Sequence, residues 1–248
     1  FPTVHTPNPE NKECFNIAIE KVKAENIDCH LIIGTDPDAD RVGIVARNNE
    51  GEFVPFTGNQ VGALLADYII NSKKAQGNLP ANACAIKSVV SGKLFDLVCD
   101  GEGVHRMNVL TGFKYIGEKI KEWESNGEHT YLFGFEESNG YLAGTYARDK
   151  DAVCASMLIG EMTAYYRTKG MTLKMALDAL FEKYGYYREG VSDIYMEGLD
   201  GIARRSRIMQ NLRDNTPATI GGVKVVRIGD YIKQTTTDLA TGATEPTG

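Results

Sequence analysis

No stretch of the 248-residue chain holds the roughly 18–20 consecutive apolar residues that a membrane-spanning helix needs. No secretory leader is visible in it either. A membrane partner is therefore not expected. Basic charge is also in short supply: 27 Lys and Arg stand against 33 Asp and Glu, a net charge of −6. That balance excludes the electropositive surface a nucleic acid would require. The cluster Arg204-Arg205…Arg207 is too short to supply one and reads as the solvated face of a helix. The five cysteines (Cys14, Cys29, Cys84, Cys99 and Cys154) are odd in number and never spaced C-x-x-C. This argues against a disulfide framework and against a zinc site. Free thiols in a reducing compartment, and hence a cytoplasmic location, are the expectation. His5, His30, His105 and His129 share no metal spacing. Ser91-Gly92-Lys93 lacks the G-x-x-x-x-G-K-[ST] frame of a phosphate-binding loop.

What is present suits one large or two medium globular domains, since 42% of the residues are hydrophobic. The spacing predicts a helix over residues 8–26, with Asn8 as its cap and Pro9 in its first turn. A short buried strand ending in Leu31-Ile32-Ile33 follows, then a strand, a turn at Asn48–Gly51 and another strand. Helices are predicted over 57–73, 92–101, 112–127, 151–170 and 172–185, and strands over 83–90, 104–110 and 130–135. This alternation argues for helices packed on a largely parallel sheet. Beyond Gly185 the texture changes to a strand over 186–198, a helix over 200–215 and a strand over 220–232.

Chemistry concentrates in two places. The first is GTDPDADRV, residues 34–42, directly after an apolar run. Aspartates at i, i+2 and i+4 point to one side of an extended backbone. Three carboxylates held together repel unless a positive group sits among them, and a hard divalent cation with oxygen preference suits Asp36, Asp38 and Asp40. Such a site keeps open positions for an anionic ligand, and Arg41 adds charge for the same oxygens. An EF-hand is excluded, because its sixth and twelfth positions fall on Arg41 and Arg47 rather than Gly and Glu. A calcium site normally takes more ligands than three, and a solvated acidic turn paired with Arg41 is the plain alternative.

The second place is FGFEESNGYLAGTYARDKDAV, residues 133–153. Glu136 and Ser138 alternate, so an extended backbone would send both the same way, where they suit a vicinal diol. A surface turn before a helix is the alternative. Lys150 lies between Asp149 and Asp151 at a helix start, where anions are favoured. It either makes a local ion pair with those aspartates or serves an anionic ligand or a moving proton.

With both constellations in view, the sequence resembles the α-D-phosphohexomutase family, the phosphoglucomutases and phosphomannomutases. The matching stretches, in the family's order, are GTDPDADRVGIV, FTGNQVGALLADYI, VLTGFKYIGEKI, FGFEESNGYLAGTYARDKDAV and YGYYREG. The resemblance implies an α/β fold: a three-layer α/β/α mutase-type domain with a mixed, largely parallel sheet, preceded by part of a second similar domain. It implies residues 1–52 as the later part of mutase domain 2, 53–185 as domain 3 and 186–248 as the opening of domain 4. It implies Asp36, Asp38 and Asp40 as Mg²⁺ ligands, with Arg41 beside the transferring phosphate and Lys150 assisting proton transfer. Glu136 and Ser138 would read sugar hydroxyls, and Thr111, Gly112 and Arg148 would complete the substrate site. The implied partner is a phosphorylated hexose, a glucose or mannose phosphate, which the family isomerises through a phosphoserine and a bisphosphate.

The family's serine segment, TASHNP-like, and its R-x-S-G-T-E-P-like phosphate loop are not found in these residues. The expectation is an internal piece of a mutase, inactive alone, whose missing domain 1 and remainder of domain 4 would be its natural partners. A stand-alone metal- or sugar-phosphate-binding module with a mutase-like fold is the alternative. A metal-dependent hydrolase of another family lacks a nucleophile or base beside the aspartates.

Overall fold

A 3-10 turn at Lys12–Phe15 leads into helix α1 (Asn16–Ala24). This helix starts later than the sequence predicts. Asn8 accepts a hydrogen bond from the Glu10 amide at 3.0 Å, a local turn that competes with helix, and Asn11 rather than Asn8 precedes the first helical turn. The computed structural model describes residues 2–190 and 194–247. The chain divides into two units, residues 1–189 and 190–248.

In the first unit, β1 (Leu31–Thr35), β2 (Val42–Arg47) and β3 (Phe53–Phe56) form an antiparallel sheet in that order. β2 is central and buried. β1, expected to be buried, is an edge strand and only half-covered: Ile33 is 36% exposed. The aspartate loop is therefore the bend of a β1–β2 hairpin, not the end of a parallel core strand.

Helix α2 (Gly58–Ala75) opens with a capping box. Thr57 Oγ1 accepts from the Gln60 amide, and Gln60 Oε1 accepts from the Thr57 amide. Then follow β4 (Ala83–Ser88), α3 (Leu94–Gly101), β5 (His105–Val109), α4 (Phe113–Asn126), β6 (Thr130–Glu136), β7 (Gly140–Ala143), α5 (Ala152–Thr168) and α6 (Leu173–Tyr184). The sheet runs β5–β4–β6–β7. β4 pairs in parallel with β5 and β6, and β7 is antiparallel to β6.

Alternation along β4 feeds two faces. Cys84 and Ile86 join Tyr131 and Leu142 under Ile116, Ile120 and Trp123 of α4. Ala83 and Ala85 join Phe133, Phe135 and Tyr141 under α2, α3, α5 and α6. The result is a three-layer α/β/α arrangement with a mixed sheet. Val42, Ile44 and Ala46 of β2 and Phe56 of β3 enter the second of these clusters, so one core runs continuously across residue 52. Cys84 and Cys99 are buried, and Cys14, Cys29 and Cys154 are half-buried.

The second unit holds α7 (Gly198–Asp214), a hairpin of β8 (Thr219–Ile220) and β9 (Val223–Lys224), and an antiparallel sheet of β10 (Arg227–Asp230), β11 (Thr235–Asp238) and β12 (Thr244–Pro246). Arg204, Arg205 and Arg207 are exposed on α7, as their pattern predicts. The single strand expected over 220–232 is broken instead. Gly221 and Gly222 take φ of 56° and 82°, conformations open to glycine, and fold β8 back on β9. The strand expected over 186–198 does not form at 186–190 or 194–197, and Gly198 begins α7; residues 191–193 lie outside the described residues.

Candidate metal and sugar site

The aspartate loop is built around Asp36. Its Oδ1 accepts the amides of Asp40 (3.1 Å) and Arg41 (3.0 Å), and its Oδ2 accepts Arg41 Nε at 2.7 Å. Arg41 also reaches Glu10 through a second guanidinium nitrogen, at 3.3 Å. The loop is a tight bend, not the extended segment inferred from the alternating aspartates. Asp36 N–H donates to the Arg41 carbonyl, and Ala39 sits in the left-handed region at φ 56°. The bend brings the three carboxylates together all the same: one oxygen each from Asp36, Asp38 and Asp40 lie within 4.8 Å of one another. Asp36 is buried and Asp38 exposed.

Burial works against ionisation of Asp36, but the Arg41 amide and guanidinium outweigh it and hold its carboxyl below the usual range. Burial pushes Asp40 up, and Asp36 adds to this against the opposing charge of Lys150.

Lys150 makes the local ion pair with one of its two neighbouring aspartates, Asp149, and a second pair that the sequence does not show. Its Nζ pairs with Asp149 at 3.3 Å and, across the fold, with Asp40 Oδ2 at 2.9 Å. Burial lowers its pKa, but the two aspartates prevail and raise it, so the ammonium form is held. Asp151 does other work. It caps α5 by accepting from the amides of Val153 and Cys154, and it accepts the Tyr146 hydroxyl at 2.7 Å.

Glu136 closes β6 and is buried. Its Oε1 accepts the Gly112 amide at 2.7 Å. Burial raises its pKa, while the Gly112 N–H and the Lys150 charge act in the opposite sense. Ser138 does not continue the strand. Residues 137–139 form a turn with Asn139 at φ 65°, so the same-side alternation assumed for Glu136 and Ser138 does not apply.

This turn is stitched to the aspartate loop. Val42 N–H donates to the Asn139 carbonyl, Arg41 bridges Gly140, and the Ala152 amide at the start of α5 donates to the Ala39 carbonyl. Thr111, exposed, sits next to Gly112 and so borders Glu136. Arg148 turns elsewhere, to Glu124 of α4 at 2.5 Å.

The structure thus gathers Asp36, Asp38, Asp40, Arg41 and Lys150, and ties Glu136 and Gly112 to the same end of the sheets. A concavity of about 430 Å³ lined by Phe56, Phe181, Tyr187 and Arg188 shares none of these residues.

Three hard oxygen donors fit a divalent cation, and a second observation agrees. Asp40 Oδ1 is buried and makes no hydrogen bond, with Arg41 Nε 3.5 Å away, so it keeps acceptor capacity for a cation.

The sequence model for phosphoglucomutase/phosphomannomutase α/β/α domain III matches residues 57–184, and that for domain II matches residues 1–51. The chain belongs to the phosphoglucomutase/phosphomannomutase family. Its aspartate loop falls in the domain II match, and Glu136, Ser138 and Lys150 fall in the domain III match. A phosphoglucomutase of Staphylococcus haemolyticus is 37% identical over 231 residues, covering 93% of this chain and 41% of that protein. One of Staphylococcus epidermidis is 39% identical over 239 residues, covering 96% and 42%. The chain therefore spans about two fifths of the length of these relatives.

Among solved structures, parafusin from Paramecium, a phosphoglucomutase in its open form, superposes with a TM-score of 0.59 at 18% identity. That match covers 96% of this chain and 39% of parafusin. A phosphoglucomutase/phosphomannomutase family protein from Burkholderia thailandensis gives 0.52 at 20% identity, covering 71% and 34%. At these identities the likeness speaks for the fold.

The sequence assigns no role to Glu137, Ser88 or Ser91, yet they meet. Ser88 and Ser91 both donate to Glu137 Oε2, at 2.9 and 3.3 Å. The one local signal is a Ser-x-x-Ser pair at the end of a strand; the partner lies more than 40 residues away.

Proposed function

We propose that this chain is the metal- and sugar-recognising part of a phosphohexose mutase that interconverts hexose 1- and 6-phosphates through a phosphoserine and a bisphosphate. The observation that carries this reading is the junction of two loops. The convergent carboxylates of Asp36, Asp38 and Asp40 are hydrogen-bonded through their own hairpin to the turn bearing Glu136 and Ser138. The family membership and the phosphoglucomutase relatives give that junction its chemistry and favour glucose phosphates.

In this reading Asp36, Asp38 and Asp40 hold Mg²⁺, which when bound supplies positive charge against phosphate oxygens. Arg41 stays oriented by Asp36 and adds a second positive group beside the same loop. Lys150 holds a proton at Nζ between Asp40 and Asp149, available to a hydroxyl that gives or receives the phosphoryl group. Glu136 commits one oxygen to the Gly112 amide and keeps the other for a sugar hydroxyl, with Ser138 beside it. Thr111 and Gly112 border the bound sugar, while Arg148, paired with Glu124, stands apart from it. Positioning and charge neutralisation are most of what phosphoryl transfer asks of a protein.

The nucleophilic serine of the family is not among these 248 residues. The chain alone is therefore expected to bind Mg²⁺ weakly and to give no turnover in a coupled glucose 1-phosphate assay. In the same sample, glucose 1-phosphate with Mg²⁺ should shift the amide resonances of residues 136–140 and 36–41. Turnover above background, or sub-micromolar Mg²⁺ affinity by titration calorimetry, would contradict the assignment of parts. Shifts confined to other residues would contradict the site.

A further inference from the structure

Beneath the turn 137–139 lies a small polar cluster with no role in the site as described. Ser88 ends β4 and is fully buried; Ser91, 6% exposed, sits in the turn that follows. Their hydroxyls lie 2.8 Å apart, and both reach the same Glu137 oxygen. The floor under them is fixed. Lys87, buried, donates to the Ser91 carbonyl at 3.0 Å and faces the carboxylate of Asp96 at 3.5 Å. The Gly92 amide donates to Asn59 Oδ1 at 2.8 Å. From the other side, the N-terminus of α2 presses on the turn. A Cβ at Gly58 would stand 2.0 Å from the Glu137 carbonyl oxygen and 2.6 Å from Asn139 Oδ1.

A carboxylate accepting two buried hydroxyl protons is a strong, directional anchor. Here the neighbours of the anchored residue do the reading: Glu136 precedes it and Ser138 follows it.

We propose that Glu137 is a positioning residue, and that the clamp Ser88–Ser91–Glu137 sets the geometry in which Glu136 and Ser138 meet a sugar hydroxyl. This rests on the hexose-phosphate reading for its ligand but not for its structural content. Glu137 reaches into the turn after β4. Its effect passes through two bonds on either side of it: the Gly112 amide held by Glu136, and the Val42 amide held by the Asn139 carbonyl.

Those two amides give the test. In the 248-residue chain, Glu137→Met keeps the length of the side chain and removes the acceptor. Glu137→Gln retains one carbonyl oxygen for the serine hydroxyls. Hydrogen exchange at Gly112 and Val42 should be about tenfold faster in E137M, the scale of one lost hydrogen bond to a charged group, while exchange at Ile86 in the core stays as in the wild type. E137Q should restore both amides to within about threefold. E137M combined with Ser88→Ala should be no faster than E137M alone, because the two changes break the same bond. Glucose 1-phosphate with Mg²⁺, followed by titration, should bind about tenfold more weakly to E137M, with Mg²⁺ affinity unchanged.

Unchanged exchange at Gly112 and Val42 in E137M would overturn the clamp, as would additive effects of E137M and S88A. If the wild type fails to bind glucose 1-phosphate while the exchange pattern holds, the clamp stands and the hexose-phosphate reading falls. If the wild type binds and E137M binds equally well, the positioning role is overturned while that reading survives.

Discussion

Two glycines show how tightly individual positions are set around the turn. Gly58 begins α2 with its Cα against the Glu137 carbonyl, where an added methyl would meet backbone at 2.0 Å. Backbone cannot rotate away as a flexible side chain can, so Gly58→Ala is expected to cost about 1–3 kcal/mol, the usual range for overpacking. Gly160 lies inside α5 with open space around the same position. There, Gly160→Ala should stabilise by about 0.5–1 kcal/mol, since alanine loses less backbone entropy in a helix. Urea denaturation of the two variants against wild type checks both signs at once. Equal effects would mean that helix propensity, not contact with the turn, governs Gly58.

At the scale of elements, the helices α2, α3 and α6 are joined at one carboxylate. Glu102, just past α3, takes Lys74 of α2 at 2.6 Å and Lys183 of α6 at 2.7 Å. Those hydrogen bonds outweigh burial and hold its pKa below the ordinary 4.5. A folded-state pKa below the unfolded one contributes stability above about pH 4.5, lost as pH falls through the folded value. Both lysines are substantially exposed, so screening limits the gain to about 0.5–1 kcal/mol. Glu102→Gln should therefore be less stable than wild type at pH 7 by that amount, with the difference fading as pH falls below about 4.5 through the folded value, and in high salt. A difference that neither acid nor salt reduces would assign the effect to packing instead.

The same scale shows what was legible in the sequence. Helices were readable: those expected over 57–73, 112–127 and 172–185 form as α2, α4 and α6, each end within two residues. The metal candidates were readable because three like charges in five residues demand a reason. The backbone under them was not. Asp36 folds the loop by accepting its own chain's amides, and nothing in the alternation of D-x-D-x-D separates that bend from an extended strand. β1 looked buried because three apolar residues say nothing about which strand becomes an edge. Lys150 showed its near neighbour Asp149, but Asp40 lies 110 positions away and reaches it only through the fold. Glu137 was hidden by its neighbour, since the pair Glu136-Glu137 gives no sign of which carboxylate faces inward.

For the molecule as a whole, the first unit contains both buried clusters, drawn entirely from residues up to 187. Residues 1–189 alone are expected to keep the thermal midpoint of the aspartate loop's unfolding within a few degrees of the full chain. A collapse of that midpoint would show that the second unit contributes to the first unit's stability. The central claim for the molecule is that the acidic trio gathers one divalent cation beside the turn carrying Glu136. Asp38 is its best probe, being exposed and so free to change without disturbing the core. The most direct measurement is paramagnetic broadening by Mn²⁺ in the amide spectrum of the wild-type chain and of Asp38→Asn. The account predicts broadening centred on residues 36–41, reaching 136–140 and 150–152, and sharply weakened in D38N. Broadening centred elsewhere, or unchanged in D38N, would contradict it.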